Sequence, residues 1–165
     1  MMQKKICMLG GFAVGKTSLV SRFVRSIFSD KYLTTVGVKI DKKPMAVDGQ
    51  DVTLMLWDLY GEDDFQSVQE SHLRGTAGYL IVVDGTRPAT LDTARELQPR
   101  IVRTVGEVPF VGVLNKADLA TERRVDDGTV ASAFERNAGV LRTSAKTGDG
   151  VEEAFVALTR AILAR

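Results

Sequence analysis

The sequence has one cysteine, one histidine and four prolines among 165 residues. A single thiol excludes a disulfide framework, and the apolar neighbours of Cys7 predict that it is a small buried side chain. No apolar stretch reaches the roughly 20 residues that a transmembrane helix needs. Residues 1–5 lack the charged-then-apolar pattern of a secretory signal. We therefore expect a cytoplasmic location.

The sequence also lacks an excess of either sign of charge. Its 22 Lys and Arg residues are balanced by 21 Asp and Glu residues, which leaves a formal charge of +1. This balance predicts neither nucleic-acid binding nor a polybasic membrane patch. His72 has no second histidine or cysteine nearby, so we interpret it as ordinary surface. Without repeats, low-complexity segments or linkers, residues 1–165 are expected to form one domain.

Five apolar runs with β-type composition alternate with stretches of helical periodicity. This alternation predicts an α/β domain with a mostly parallel sheet and helices on both faces. Residues 36–47 alternate apolar and polar side chains, include Pro44 and meet Asp48-Gly49, a strong hairpin signal. We therefore expect a sixth strand that is antiparallel and lies at the sheet edge. The apolar runs cover residues 5–9, 52–57, 79–84, 110–115 and 140–143, and the helical stretches cover residues 16–26, 90–105, 125–137 and 151–163.

Two of the helical stretches carry further information. In residues 151–163 the apolar side chains fall on one face, which predicts packing against the core. Pro99 lies within residues 90–105 and removes one backbone donor. This helix is therefore expected either to be kinked at Pro99 or to consist of two pieces.

A glycine-rich loop directly follows the first predicted strand and precedes a helical stretch. Its residues, GGFAVGKT from Gly10 to Thr17, fill every fixed position of G-x-x-x-x-G-K-[ST]. The glycines let backbone N–H groups turn inward, and the helix N-terminus adds the positive end of its dipole. Lys16 supplies a charge for the β- and γ-phosphates, and the Thr17 hydroxyl suits Mg²⁺. The predicted phosphate-binding residues are Ala13, Val14, Gly15, Lys16, Thr17 and Ser18. ATPases, kinases and GTPases share this loop, so it does not distinguish them.

Two more motifs, Asn115-Lys116-Ala117-Asp118 and Thr143-Ser144-Ala145-Lys146, stand at the ends of predicted strands, where ligands bind in parallel sheets. Guanine presents an O6 acceptor and donors at N1 and N2, and one carboxylate such as Asp118 can accept both donors. Adenine offers no such pair. The motifs therefore predict a guanine site formed by Asn115, Lys116, Asp118, Ser144, Ala145 and Lys146.

The ordered set GGFAVGKT, Thr35, WDLYG, NKAD and TSAK resembles the Ras superfamily of small GTPases, and its Rab-like branch in particular, over about residues 3–163. The resemblance implies a P-loop NTPase fold of the Ras-like G-domain type, with a six-stranded sheet. It implies a molecular switch that binds GTP or GDP with Mg²⁺ and hydrolyses GTP. It further implies that Asn115 ties the base loop to the phosphate loop, that Lys116 lies along guanine and that the Ala145 N–H meets O6. Phe28 matches the aromatic residue that packs against the base, although it would also suit the core.

Two segments match the nucleotide-sensitive switch loops of this family. In the first, Thr35 matches the threonine that ligates Mg²⁺ and contacts the γ-phosphate, with Thr34 as the competing candidate. In the second, Asp58 matches the aspartate that holds a Mg²⁺-bound water, and Gly61 the glycine whose N–H contacts the γ-phosphate. Loss of that phosphate would release both loops. We expect a monomer that binds protein effectors and regulators through residues 30–40 and 58–74.

Three side chains depart from the family pattern close to the position where the γ-phosphate is expected to bind. Glu62 stands where efficient members have the glutamine that orients the attacking water, so it acts as a base, leaves the water poorly positioned or turns away. Phe12 and Tyr60 either add bulk where a catalytic arginine would enter or point to solvent. We expect slow intrinsic hydrolysis, with Lys16, Thr35, Gly61 and Glu62 as the catalytic group.

Two other functions compete with the regulatory GTPase. A hydrolysis-deficient GTP-binding scaffold that acts through protein partners is favoured by Glu62. An ATP-dependent small-molecule kinase conflicts with the predicted guanine contact of Asp118. Residues 161–165 contain no cysteine that could be prenylated. This fits a prokaryotic or otherwise non-prenylated member, and equally a chain whose tail has been removed.

Overall fold

The computed structural model describes residues 2–11, 14–24, 32–33, 38–59 and 70–165. In this part of the chain seven strands form one sheet, and five α-helices accompany it. The strands are β1 Met2–Gly10, β2 Tyr32–Leu33, β3 Val38–Val47, β4 Gln50–Leu59, β5 Thr76–Asp84, β6 Phe110–Asn115 and β7 Val140–Arg142. The helices are α1 Lys16–Val24, α2 Glu70–Leu73, α3 Ala89–Val105, α4 Asp127–Ala133 and α5 Val151–Leu163, with a 3-10 turn at Ala120–Glu122.

The sheet has the order β2-β3-β4-β1-β5-β6-β7. Strands β4, β1, β5, β6 and β7 pair in parallel, whereas β3 is antiparallel to both β4 and β2. Asp48 and Gly49 form the β3–β4 turn with positive φ values of 51° and 81°, as the Asp-Gly pair predicts. The predicted α/β fold, with a mostly parallel sheet and helices on both faces, is confirmed. The antiparallel strand β3 was expected at the sheet edge, but β2 pairs outside its first residues and is the edge strand there.

The six predicted strands are all present, and the two-residue strand β2 extends the sheet beyond β3. Two residues are too few to produce a recognisable alternation, so the sequence gives no sign of this strand. Strand β2 pairs only with Lys39 and Ile40. Pro44, further along β3, pairs with Thr53 of β4 and with no other strand that the structure describes, so on that side no ladder hydrogen bond to a described strand requires the N–H that proline lacks.

Both faces of the sheet are covered, because alternate side chains of the central strands enter two different cores. On one face Leu80 and Val82 of β5 pack with apolar residues of α1 and α5. On the other face Tyr79, Ile81 and Val83 pack with residues of α3 and α4. Burial on both faces explains why β5 reads as a continuous apolar run.

The helices match their predicted extents to different degrees. Helix α5 spans the predicted residues, and its Phe155 stacks on Phe23 of α1 with ring centroids 4.0 Å apart. Helix α3 continues through Pro99, so it is one helix and not two pieces. Packing of the buried neighbours Leu97 and Ile101 on the sheet offsets the backbone hydrogen bond that proline removes.

Helix α4 is shorter than the sequence predicted. It begins after Asp126, whose side chain accepts a hydrogen bond from the Thr129 N–H, and it ends before Phe134, whose backbone is extended. Phe134 is buried and meets the ring of Phe110 edge-on at 6.2 Å. This tertiary contact replaces the helical continuation to residue 137. For α1, the predicted residues 25 and 26 lie outside the described part of the chain.

Candidate functional site

The predicted binding motifs meet at the edge where the parallel strands have their carboxyl ends. Thr17 follows β1, Asp58 lies near the end of β4, and Asn115 is the last residue of β6. Ser144 follows β7. Ligands of open parallel sheets bind outside this edge, so the topology alone places the motifs together.

The glycine loop has a backbone that only glycine accommodates at two positions. Gly10 has φ of 152° and Gly15 has φ of 103°. A Cβ atom on Gly10 would lie 2.5 Å from the carbonyl oxygen of Val82, and one on Gly15 would overlap Nδ2 of Asn115. The missing side chains therefore let the loop approach β5 and β6 closely.

Helix α1 begins at Lys16, directly after this loop, and its first turn is closed by a 2.9 Å hydrogen bond from the Leu19 N–H to the Gly15 carbonyl. The N-terminus of α1 thus points its unpaired N–H groups and its dipole into the loop. The Lys16 ammonium donates to the Gly10 carbonyl at 2.9 Å, which curls the side chain back over the loop. This arrangement is a cradle for an anion.

Asn115 connects the glycine loop to the other predicted motif. Its Nδ2 donates to the Val14 carbonyl at 2.9 Å, and its Oδ1 accepts from the Thr143 hydroxyl at 3.0 Å. The residue is only 2% exposed, so both bonds form away from water. One amide side chain thereby holds the glycine loop, the end of β6 and the end of β7 in fixed positions.

Asp118 is oriented from the segment that follows β7. Its Oδ1 accepts a 2.7 Å hydrogen bond from the Ser144 hydroxyl, and that hydroxyl in turn accepts from the Thr147 N–H at 3.1 Å. The Ser144 N–H donates to the Asp149 carbonyl at 2.9 Å, which closes the loop. The carboxylate is therefore fixed at the sheet edge by a side chain that is itself fixed.

A cavity of about 390 Å³ joins the two motifs. It is large enough for a purine base and sugar, and both the glycine loop and Asp118 face it. Leu119 also lines it, although the sequence analysis did not select this residue; its position directly after the NKAD motif was the available signal. The lining residues are Gly15, Ser18, Asn115, Lys116, Asp118, Leu119, Ala145 and Lys146.

Lys116 forms an ion pair that the sequence did not predict. Its Nζ lies 2.9 Å from Oδ2 of Asp84, whose side chain is fully buried at the end of β5. Burial alone would raise the pKa of Asp84. Hydrogen bonds from Lys116, Thr86 and Arg87 outweigh that effect and hold the pKa well below its ordinary value. Asp84 is therefore charged at neutral pH.

The residues present also fit a magnesium ion. Thr17 donates its hydroxyl hydrogen to Oδ2 of Asp58, and Asp58 is fully buried. Among the residues that the structure describes, Oδ1 of Asp58 has no hydrogen-bond partner. Burial raises the pKa of Asp58, while the hydrogen bond from Thr17 and the charges of Lys16 and Lys39 act against it. A hydroxyl and a buried carboxylate with one oxygen that receives no donor from the described residues form a hard oxygen set suited to Mg²⁺.

Five predicted site residues, Ala13, Phe28, Thr35, Gly61 and Glu62, lie outside the described part of the chain, as do Phe12 and Tyr60. The predicted partner segments are described only in part. The remaining predicted residues, Val14, Gly15, Lys16, Thr17, Ser18, Asp58, Asn115, Lys116, Asp118, Ser144, Ala145 and Lys146, all lie at the same sheet edge.

A larger cavity of about 770 Å³ lies elsewhere, between α3, α4 and the start of β6. Its floor includes Tyr79, whose hydroxyl accepts a 3.4 Å hydrogen bond from Gln98. The charged residues Arg136 and Glu107 at its rim pair with each other. Size alone therefore does not identify the functional site, and the chemistry lies at the smaller cavity.

A strand, a glycine loop and a helix that begins with Lys-Thr, next to a cavity with an oriented carboxylate, define a P-loop nucleotide-binding protein. The sequence matches the Ras family over residues 5–164, and the chain belongs to this family. As a Rab-like member, it is a GTP-binding, GTP-hydrolysing molecular switch. Ras-family proteins bind guanine nucleotides, generally with Mg²⁺, and interact with effectors and regulators.

Individual relatives agree over nearly the whole chain. The chain is 35% identical over 161 residues to the GTP-binding protein YPTM1 of Zea mays, covering 96% of this chain and 77% of that protein. It is 34% identical over 164 residues to the Ras-related protein RABD2c of Arabidopsis thaliana, covering 98% and 81%. The GTP-binding protein yptV2 of Volvox carteri is likewise 34% identical over 164 residues, covering 98% and 76%.

The helices that the structure describes are too short or too polar to span a membrane.

Replacing Gly15 with alanine should disable the site because the new Cβ would overlap Nδ2 of Asn115, and because alanine is strained at a φ of 103°. We expect GDP affinity to fall by at least about a hundredfold, since the Asn115–Val14 hydrogen bond and the loop geometry are both lost. Isothermal titration with GDP measures the change.

Gly106→Ala provides the matched control. Gly106 has a φ of 79°, but a Cβ there would meet nothing within 4 Å, so alanine introduces the backbone strain without the overlap. It should leave GDP affinity unchanged. Equal losses in the two variants would show that a general loss of stability, and not the contact of position 15 with Asn115, lowers the affinity.

Proposed function

We propose that residues 1–165 form a single G domain that binds GTP and GDP with Mg²⁺ in the cavity between the glycine loop and Asp118. One observation carries the proposal: Gly15 and Asp118 line the same cavity, and Asn115 fixes the distance between them. A phosphate cradle and an acceptor for guanine N1 and N2 thus belong to one site. Membership of the Ras family, whose members bind guanine nucleotides, supports the same assignment.

The phosphate end depends on the charge of Lys16 and on backbone N–H groups of Ala13, Val14, Gly15, Thr17 and Ser18. Lys16 binds the Gly10 carbonyl in this structure, so a polyphosphate would compete for the same ammonium. Stronger hydrogen bonds to anionic oxygens than to a neutral carbonyl favour the nucleotide. Lys16 also offsets the negative charge that develops when water attacks the γ-phosphorus.

The base end depends on Asp118 as the acceptor for guanine and on Asn115, Lys116, Ala145 and Lys146 around it. Ser144 does not need to touch the base, because its hydroxyl orients Asp118. The Ala145 N–H is assigned to O6, and Phe28 to packing on the base or in the core. Adenine would cover the Asp118 carboxylate without donating to it, and that penalty is the source of selectivity.

Mg²⁺ would be held by Thr17, by Thr35 and, through water, by Asp58. When bound, the ion supplies positive charge that neutralises the β- and γ-phosphate oxygens. The contribution of the chain is to hold the buried Asp58 carboxyl group close to the Thr17 hydroxyl. The Thr17 hydroxyl donates a hydrogen bond to Asp58, so β4 and α1 hold these two side chains next to each other.

The two expected switch segments begin at the same end of one hairpin. Val38, the first residue of β3, pairs with Leu59, the last residue of β4, and Lys39 pairs with Asp58. The described parts of the two segments next to this end, residues 38–40 and 58–59, therefore lie together beside the proposed metal site. Contacts of Thr35 and Gly61 with the γ-phosphate would couple both segments to the nucleotide, and protein partners would read residues 30–40 and 58–74.

A hydrolysis-deficient scaffold is the second candidate, and Glu62 is the observation that favours it. A carboxylate beside the γ-phosphate is repelled, and it cannot reproduce the amide donor and acceptor of glutamine. The reaction of such a site depends mainly on positioning water and neutralising charge. Loss of the orienting group therefore slows turnover while binding persists.

The base assignment predicts that the protein prefers GDP to ADP by at least about a thousandfold, and that removing Mg²⁺ with EDTA weakens GDP binding. Asp118→Asn should reduce GDP affinity about a hundredfold or more, because asparagine has one acceptor oxygen in place of two and no negative charge. The same variant should gain affinity for xanthosine diphosphate, whose O2 accepts from the new amide. Competition titrations with the three nucleotides measure these effects.

Asp126→Asn is the matched control, since it makes the same chemical change at an exposed helix cap that does not line the cavity. It should leave all three affinities unchanged. Preference of the wild-type protein for ADP would refute the proposed function. An Asp118→Asn variant that still binds GDP normally would refute the role of Asp118 alone.

Glu62 predicts slow intrinsic hydrolysis. Glu62→Gln should restore an amide that orients water and raise the single-turnover rate of bound GTP by up to about a hundredfold. Asp63→Asn removes a neighbouring charge without supplying the glutamine, so it should leave the rate unchanged. A fast wild-type rate that Glu62→Ala abolishes would show instead that the glutamate is a working base.

A further inference from the structure

Asp84 is a fully buried acidic residue that the binding motifs do not include. It is the last residue of β5, it pairs in register with Asn115 of β6, and its side chain is fully buried. Its carboxylate accepts hydrogen bonds from the Thr86 N–H at 2.8 Å, the Thr86 hydroxyl at 2.7 Å and Arg87 Nε at 2.9 Å. The fourth group at this carboxylate is the ammonium of Lys116.

We propose that Asp84 is a positioning residue for guanine nucleotides, because its buried carboxylate anchors the Lys116 ammonium and thereby fixes the lysine stem as a wall of the base cavity. The inference rests on the proposed function, which assigns the cavity to guanine. Asp84 does not line the cavity itself and acts only through Lys116.

Lys116 is held at both ends. Its backbone has a φ of 67°, a left-handed conformation that residues other than glycine seldom adopt. The next residues fix this turn, since the Ala117 N–H donates to the Thr143 carbonyl at 2.9 Å and the Leu119 N–H donates to the Lys116 carbonyl at 3.0 Å. With the ammonium on Asp84 and the backbone locked, the four-carbon stem between them has little freedom.

A fixed stem matters because lysine is otherwise flexible and loses much rotamer entropy when a ligand immobilises it. The anchor removes most of that loss before the nucleotide arrives, so the bound state is favoured and release is slowed. The ion pair persists because the N–H and the hydroxyl of Thr86 also donate to the carboxylate and hold it in place.

Substitution of Arg87 distinguishes a purely structural role of the Asp84 carboxylate from its role in positioning Lys116. Its side chain is 43% exposed and pairs with the same oxygen, Oδ2, that receives Lys116. Removing Arg87 weakens the support of Asp84 but leaves its contact with Lys116. A purely structural role of Asp84 should therefore respond to Arg87→Ala, whereas positioning of Lys116 should not.

The test is the release rate of a fluorescent GDP analogue from the full chain with Mg²⁺, measured for wild type, Asp84→Asn, Lys116→Met and the double variant. Methionine keeps an apolar stem but has no ammonium to anchor. Each single change should speed release about tenfold, the effect of losing one charge-assisted hydrogen bond. The double variant should release no faster than either single variant, and Arg87→Ala should stay within about twofold of wild type.

Single effects that multiply in the double variant would overturn the proposal, because Asp84 would then act independently of Lys116. Release at the wild-type rate from Lys116→Met or Asp84→Asn would overturn it as well. If Asp84→Asn does not fold, Asp84→Glu takes its place in the same cycle, since the extra methylene displaces the anchor while keeping the charge. A wild-type protein that does not bind GDP would refute the proposed function instead, before any variant is compared.

Discussion

The amide of Asn115 is the contact on which the arrangement of the site depends. It donates to the glycine loop after β1 and accepts from Thr143 after β7, although these strands lie at separate positions in the sheet. A single residue uses both its donor and its acceptor where water cannot replace either. This contact also requires glycine at position 15, because any side chain there would occupy the space of the Asn115 amide. Phosphate cradle and base cavity are therefore built as one unit.

Three carboxylates near the same sheet edge differ in the donors that surround them, and those donors determine what each can do. Asp58 is buried with one oxygen that lacks a partner among the described residues, which suits a cation. Asp84 receives four donors and serves as an anchor within the protein. Asp118 has one oxygen held by Ser144 and lines the cavity, which suits recognition of a ligand. Identical side chains thus acquire separate roles from burial and hydrogen bonding.

Much of this organisation could be predicted from the sequence because local patterns and motifs carry it. The run before Gly10 and the periodicity of residues 151–163 identified β1 and α5, and the motif spacing placed Asn115 and Asp118 at strand ends. Features set by distant contacts could not be predicted in this way. Phe134 leaves α4 to pack on Phe110, and Asp84 meets Lys116 only because β5 and β6 are neighbours. Strand β2 is too short to show any period.

Hydrogen–deuterium exchange of Asn115→Ala, loaded with GDP, tests most directly whether this amide joins the two halves of the site. The account predicts faster exchange in both the loop at residues 14–19 and the segment at residues 144–149, while β5 and β6 stay protected. Faster exchange in only one of these segments, or in neither, would contradict the claim that one side chain holds them together.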